Sequence, residues 1–200
     1  IKYKLPNFKN VNLGETLTEL KKLKKKGYSK ILLAGSIKRP KLSEIKPDLN
    51  SLKLIPKFTQ IFLKGGDDKL LRFVIKEFEN LGLRVLYLHK MFPEFFLGLG
   101  SQIKKNISKN FLEDISRGVS ILKSNSKFDI GQSLVIQEGT VIGMEAAQGT
   151  DNLIKQSQPY LKGVCNGILI KLVKVNQDLR ADLPTIGLKT LKNCYICGLR

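Results

Sequence analysis

Apolar and polar positions change period several times along this chain, and each change predicts an element. In residues 13–26, LGETLTELKKLKKK, Leu13, Leu17, Leu20 and Leu23 recur at helical spacing against a lysine-rich face, and Gly27 is the expected stop. Ile31 to Ala34 are continuously apolar and bounded by Gly35, the pattern of a buried strand in a parallel sheet. A connector rich in Pro and Lys, with Pro47 and Pro56, leads to a second helix carrying Leu70, Leu71, Val74, Phe78 and Leu81 and ending at Gly82. Either Asp67 or Asp68 is the expected N-cap of that helix, and Arg84 to Leu88 is the next strand. Phe92, Phe95 and Phe96 lie in an apolar loop that either joins the core, the reading preferred here, or meets acyl chains or a membrane.

Residues 111–123 form another amphipathic pattern, with Phe111, Ile115, Val119 and Leu122 on one face. A polar, turn-rich segment, KSNSK, follows, and the texture then changes. QSLVIQEGTVIGMEA predicts a β-hairpin around Glu138-Gly139-Thr140, and GTDNLIKQ a short helix capped by Thr150 or Asp151. Residues 166–173, NGILIKLV, read as a buried strand. The expected architecture is an α/β N-terminal domain with a Rossmann-like parallel sheet over residues 1–125, and a smaller α+β domain over 126–200. Ile1 in place of Met, and an end without an obvious closing element, lead us to expect that both domains are trimmed.

Composition narrows the class. A hydrophobic content of 42% suits a chain that buries a core. No apolar run approaches the roughly 20 residues of a membrane span, and no secretory signal opens the chain. Cys165, Cys194 and Cys197 are odd in number, which points to reduced thiols in the cytoplasm. The C-x-x-C at Cys194–Cys197 has no second pair, so buried thiols in an apolar strand are expected rather than zinc. His89 is the sole histidine and is expected as a hydrogen-bonded residue at the edge of the core.

Charge adds a partner class. Against 17 acidic residues stand 35 basic ones, a net charge of +18 that attracts polyanions. Lysines predominate, aromatics are 8% and Trp is absent. That mixture favours an anionic lipid or phosphate surface over nucleic acid, which relies on Arg forks and stacking rings.

Candidate chemistry sits in two places. Gly35, Ser36, Lys38 and Arg39 follow a strand, where α/β sheets bind ligands and two cations can meet a phosphate. Spacing rules out a Walker loop. The denser candidate is KLVKVNQDLRADLPTIG, residues 171–187, with Asp178 and Asp182 four apart, Arg180 between them and Lys171 and Lys174 upstream. On a helical turn the two carboxylates share a face that can hold a divalent cation or orient water. The competing reading makes Asp178 and Arg180 an ion pair and Asp182 a turn cap.

The pieces together resemble the bacterial UDP-2,3-diacylglucosamine pyrophosphatase family of lipid A biosynthesis, the two-domain type unrelated to calcineurin-like phosphoesterases. Matching residues are Gly35-Ser36-Ile37-Lys38-Arg39-Pro40, Gly66-Asp67-Asp68 with Leu70-Leu71-Arg72, and Asp129-Ile130-Gly131-Gln132. They continue with Glu145-Ala146-Ala147, Gly149-Thr150-Asp151, Lys174, Gln177-Asp178, Arg180, Asp182-Leu183-Pro184, Ile186-Gly187 and Thr190. Gln148 departs from the pattern, standing where the family often has Glu.

The resemblance implies Mg²⁺-dependent hydrolysis of UDP-2,3-diacylglucosamine to UMP and 2,3-diacylglucosamine 1-phosphate, in a cleft between the domains. It makes Asp178 the main catalytic carboxylate with Asp182 as partner, and gives Arg180 and Lys174 the phosphate charge. Magnesium would be held by Asp178, Asp182, Glu145 and Asp151. Gln132, Thr150, Gln177, Gly35, Ser36, Lys38, Arg39 and Asp67 or Asp68 would contact substrate. The implied partners are a nucleotide-linked glycolipid and the cytoplasmic face of the inner membrane, with a homodimer left open and no nucleic acid. The rival class is a non-catalytic basic module that binds nucleotide or nucleic acid.

Overall fold

A computed structural model describes residues 8–35, 40–42, 45–64, 66–96, 107–163, 167–175 and 177–199. The chain divides into two units, Ile1–Phe96 and Leu97–Arg200. This division falls well before the boundary expected at residue 125. The reason is α5 (Lys109–Asn125), whose apolar face packs on the sheet that follows it. The second unit is therefore not the smaller one.

In the first unit, α1 (Thr16–Lys25) precedes β1 (Lys30–Leu32), and α2 (Ile55–Lys64) and α3 (Asp67–Asn80) lead to β2 (Arg84–Leu86) and the short α4 (Leu88–Met91). β1 and β2 pair in parallel, with Lys30 opposite Arg84 and Leu32 opposite Leu86. This pair is as much of the expected Rossmann-like sheet as the described residues contain. Ile31 and Leu32 are half-buried and Ala34 is exposed, so the fully buried strand expected here is only partly covered.

α2 was not expected. Pro56 reads as a connector residue, yet it occupies the first turn, where a helix needs no N–H from it. Its Phe58 ring lies 6.3 Å from Phe73 of α3. α3 is thus gripped on two sides, by α2 and β2, and buries Phe73, Ile75 and Phe78. Leu70, Leu71 and Val74, the expected core positions, are only half-buried as a result.

At the end of this unit Phe95 is 79% exposed and Phe92 is also exposed, against the expectation of a core. Phe92 closes the short helix before it and Phe95 ends the turn begun by Pro93, so the two rings lie near each other, centroids 6.4 Å apart. His89 packs edge-on between Tyr87 and Phe96, and its Nδ1 is buried with no hydrogen-bond partner among the described residues. Ring packing, not the hydrogen bond expected, holds it.

The second unit is α+β, as expected, and layered. β3 (Ser133–Gln137) runs through the centre of an antiparallel sheet of order β4-β3-β5, with β4 at Thr140–Met144 and β5 at Ile168–Lys171. Leu134 pairs with Ile170 and Ile136 with Ile168, and these four face Leu122 of α5. Alternation sends Val135 to the other face, against Leu153 and Ile154 of α6 (Thr150–Ser157) and Cys197 beyond α7 (Leu188–Ile196). The central strand is buried on both faces for this reason.

Glu138 and Gly139 both have positive φ, the requirement of a tight hairpin turn between β3 and β4. Cys194 lies in α7 rather than in a strand, because its segment packs as a helix against α6. Cys194 and Cys197 are free thiols, and Cys165 lies outside the described residues. No described helix is long and apolar enough to cross a membrane.

Candidate active site

Strand register gathers the second unit's polar residues at one end of its sheet. Ser133 at the start of β3 pairs with Lys171 at the end of β5, and Leu134 pairs with Met144 at the end of β4. Beyond these ends the ladder continues into loops. Leu172 donates its N–H to the Gln132 carbonyl at 2.9 Å, and Glu145 donates its own to the Ser133 carbonyl at 2.8 Å. Gln132, Glu145, Thr150, Lys171 and Lys174 are thereby held at one edge.

Glu145 is the hub of the buried part. Its Oε1 accepts the Thr150 hydroxyl at 2.7 Å and its Oε2 the Gln132 N–H at 3.2 Å. Lys171 donates to the Thr150 hydroxyl at 2.8 Å, and Ser133 lies 3.3 Å from it. Burial acts to raise the Glu145 pKa. Hydrogen bonds from Ser133, Thr150 and the Gln132 N–H, with the Lys171 charge, outweigh it and hold the carboxyl below its ordinary range.

Thr150 therefore serves the Glu145 network and not as a cap. The N-cap of α6 is Gly149, with no side-chain capping bond. Asp151 reaches a different element: its Oδ1 accepts the Thr190 hydroxyl at 2.8 Å and its Oδ2 lies 3.5 Å from Lys189. It fastens α7 to α6, and those two donors lower its pKa, the Thr190 hydroxyl most, against a smaller effect of burial.

The segment after β5 carries the opposed charges. Lys174 forms an ion pair with Asp129 in which both side chains are largely buried. The Lys174 N–H donates to Gln177 Oε1 at 2.9 Å, and Gln177 Nε2 donates to Asp182 Oδ2 at 2.7 Å. Asp178 receives Arg180 on both oxygens, Nε on Oδ1 at 2.9 Å and Nη2 on Oδ2 at 2.7 Å. The Asp182 N–H meets the Asp178 carbonyl at 3.2 Å, closing a single helical turn that does not continue into a helix.

In the first unit, Gly66 rather than either aspartate occupies the N-cap of α3. Asp68 pairs with Arg72 one turn on at 2.6 Å, which explains why it does not cap. Asp67 shares the first turn, where a negative charge favours the helix. Gly35 follows β1 with φ +92°. Ser36, Lys38 and Arg39 lie outside the described residues.

Comparison with known proteins gives this geometry a context. Residues 1–95 match the family model of the LpxI N-terminal domain, and residues 99–200 that of the LpxI C-terminal domain. The chain belongs to the LpxI family. A relative from Caulobacter vibrioides, UDP-2,3-diacylglucosamine pyrophosphatase LpxI, is 32% identical over 196 residues, covering 95% of this chain and 70% of the relative.

Within this LpxI chain the site includes residues that sequence reasoning left out. Lys171 was counted in the charged stretch and in the strand before it, yet received no role of its own. Asp129 stood inside a matched motif without a role, and Ser133 had no signal.

Among the described residues no three or more His, Cys, Asp or Glu side chains are grouped to hold a metal ion. Both Asp178 oxygens take Arg180, Asp182 takes Gln177, Glu145 takes Thr150 and Gln132, and Asp151 takes Thr190 and Lys189. The four carboxylates expected around magnesium do not fit it as a set.

Proposed function

We propose that this chain hydrolyses the pyrophosphate of UDP-2,3-diacylglucosamine to UMP and 2,3-diacylglucosamine 1-phosphate, in lipid A biosynthesis. The observation that carries the reading is the arrangement after β5 in an LpxI-family chain. Two cations, Lys174 and Arg180, are each held by a carboxylate within one short segment and its neighbour loop. Anhydride hydrolysis places water oxygen on one phosphorus, breaks the bridging P–O bond and leaves the proton for a base. Its charge builds on non-bridging and leaving oxygens, which is where preoriented cations lower the barrier most.

In this reading Arg180, its guanidinium plane fixed by Asp178 on two oxygens, directs its charge to phosphate. Lys174 offers a point charge beside it. Asp178 sets the arginine fork, and Asp182, braced by Gln177, is the carboxylate that orients the attacking water and takes its proton. Gln132 and Thr150 contact substrate from the sheet end. Gly35, Ser36, Lys38, Arg39 and Asp67 or Asp68 remain further candidates for substrate contact.

The magnesium requirement implied by the resemblance belongs to the proposal too, supported by the charge of a diphosphate rather than by grouped ligands in the chain. So does docking at the inner-membrane face, which the +18 charge supports. Membership of a pyrophosphatase family disfavours the non-catalytic binding module.

The test is UMP release from UDP-2,3-diacylglucosamine by the purified chain, with magnesium added or chelated, beside Asp178→Ala. We expect activity in the parent and a loss of at least about a hundredfold in the variant with its circular dichroism unchanged. A folded parent that releases no UMP under either condition ends the proposal.

A further inference from the structure

We propose that Asp129 is a positioning residue for Lys174, holding the ammonium at the point where a phosphate oxygen is to be met. This rests on the pyrophosphatase reading above and deepens it, giving the carboxylate paired with Lys174 a role of its own.

Asp129 sits where stability alone gives little reason for it. Its backbone is left-handed, φ 53° and ψ 38°, a conformation that most side chains avoid and that Asp tolerates only better than others. Its carboxylate is 14% exposed, with Oδ1 on the Lys174 ammonium. Oδ2 is buried and has no hydrogen-bond partner among the described residues. An under-satisfied buried carboxylate on a left-handed residue is a costly arrangement, of the kind that persists where function requires it.

The surroundings make this carboxylate a rigid reference point. A Cβ at Gly131 would stand 2.1 Å from the Glu145 carbonyl oxygen, so the loop and the end of β4 are in direct backbone contact. Gln132, next along, is tied on its N–H to Glu145 and on its carbonyl to Leu172. Lys174 is tied at its backbone to Gln177. The flexible lysine stem is thus fixed at both ends, by Gln177 at the main chain and by Asp129 at the ammonium. An ammonium has three donors. One on Asp129 leaves others for phosphate, and the lysine no longer has to be ordered when substrate arrives.

The experiment uses the full chain and four proteins: parent, Asp129→Asn, Lys174→Met and the double variant. Asn tolerates the left-handed backbone and removes only the charge. We expect Asp129→Asn to lower kcat/KM for UDP-2,3-diacylglucosamine by roughly ten- to a hundredfold, the penalty of a misplaced group, with its melting temperature close to the parent's. Lys174→Met should lose at least as much. The decisive readout is the double variant, which should be within about twofold of Lys174→Met because the two residues act as one unit.

Additive losses, a single Asp129→Asn effect below about twofold, or an unimpaired Lys174→Met each overturn the inference while leaving the pyrophosphatase intact. Should Asp129→Asn not fold, Asp129→Gly removes the same charge and suits the same backbone. Failure of both to fold assigns Asp129 to stability and overturns the inference as well. An inactive parent removes both proposals together.

Discussion

Thr150 donates its hydroxyl to Glu145 at 2.7 Å, and that one contact joins the end of β4 to the start of α6. Glu145 is only 9% exposed, so its ionisation depends on such donors. Because Lys171 donates to the same hydroxyl, the charge of β5 reaches the carboxylate through Thr150. The three strands are therefore coupled at the site end by a titratable group.

The first prediction follows from the sign of that titration. The folded-state pKa of Glu145 is depressed from an ordinary value of 4.5, and Asp151 is shifted in the same direction from 3.8. Such groups contribute stability above the unfolded pKa, and the contribution is lost as pH falls through the folded value. Denaturant melts should show stability level near neutrality and declining below about pH 4.5. Glu145→Gln should cost about 1–3 kcal/mol at pH 7 and much less at pH 3. An equal cost at both pH values would show that charge is not what the site holds.

Arg180→Lys tests the fork on Asp178. Lysine keeps the charge but cannot span both carboxylate oxygens. If the two-oxygen contact sets the orientation of the guanidinium, kcat should fall by about tenfold or more with stability nearly unchanged. Full activity in the lysine variant would reduce Arg180 to a point charge.

How much of this was legible beforehand depended on periodicity. α3, α5 and the β3–β4 hairpin follow their apolar spacing, since that spacing is what the core selects. α2 was hidden by Pro56, which marks a connector in general and a first turn here. α7 was hidden by Cys194 and Cys197, whose thiols suit either a strand or a helix end, and by Leu188, Leu191 and Tyr195, which face outward. Capping failed twice for one reason: Asp68 and Thr150 had better partners in Arg72 and Glu145, leaving Gly66 and Gly149 at the caps. In the site, the 174–182 segment was readable from charge density. Asp129 was not, because its pairing with Lys174 spans 45 residues and no local pattern encodes it.

Gly131→Ala should disturb the site through the backbone. The added methyl meets the carbonyl oxygen of Glu145 at 2.1 Å and its carbonyl carbon at 2.5 Å, and neither can rotate away as a side chain would. We expect destabilisation of about 1–3 kcal/mol, together with a loss of activity, as the loop carrying Asp129 and Gln132 is pushed off β4. Chemical denaturation and UMP release measured on the same preparation check the pair of effects. Normal stability in this variant would mean that the approach is looser than the structure has it.

Asp114 offers a prediction away from the chemistry. It is a buried carboxylate on α5, and its Oδ1 accepts the Gly139 N–H at 2.6 Å at the tip of the β3–β4 hairpin. A turn with two positive-φ residues is a weak point unless something holds its N–H groups, and here a helix side chain does so from the layer beneath. Removing it with Asp114→Ala leaves a donor without its partner and should cost about 1–3 kcal/mol. Asp114→Asn keeps an oxygen acceptor and should recover much of that. Because the contact lies at the opposite end of β3 from Ser133, both variants should keep kcat near the parent's while the protein remains folded. A fall in kcat from Asp114→Asn at full stability would mean that strain at the turn travels along β3 to the site. The central strand would then be a conduit rather than a fixed floor.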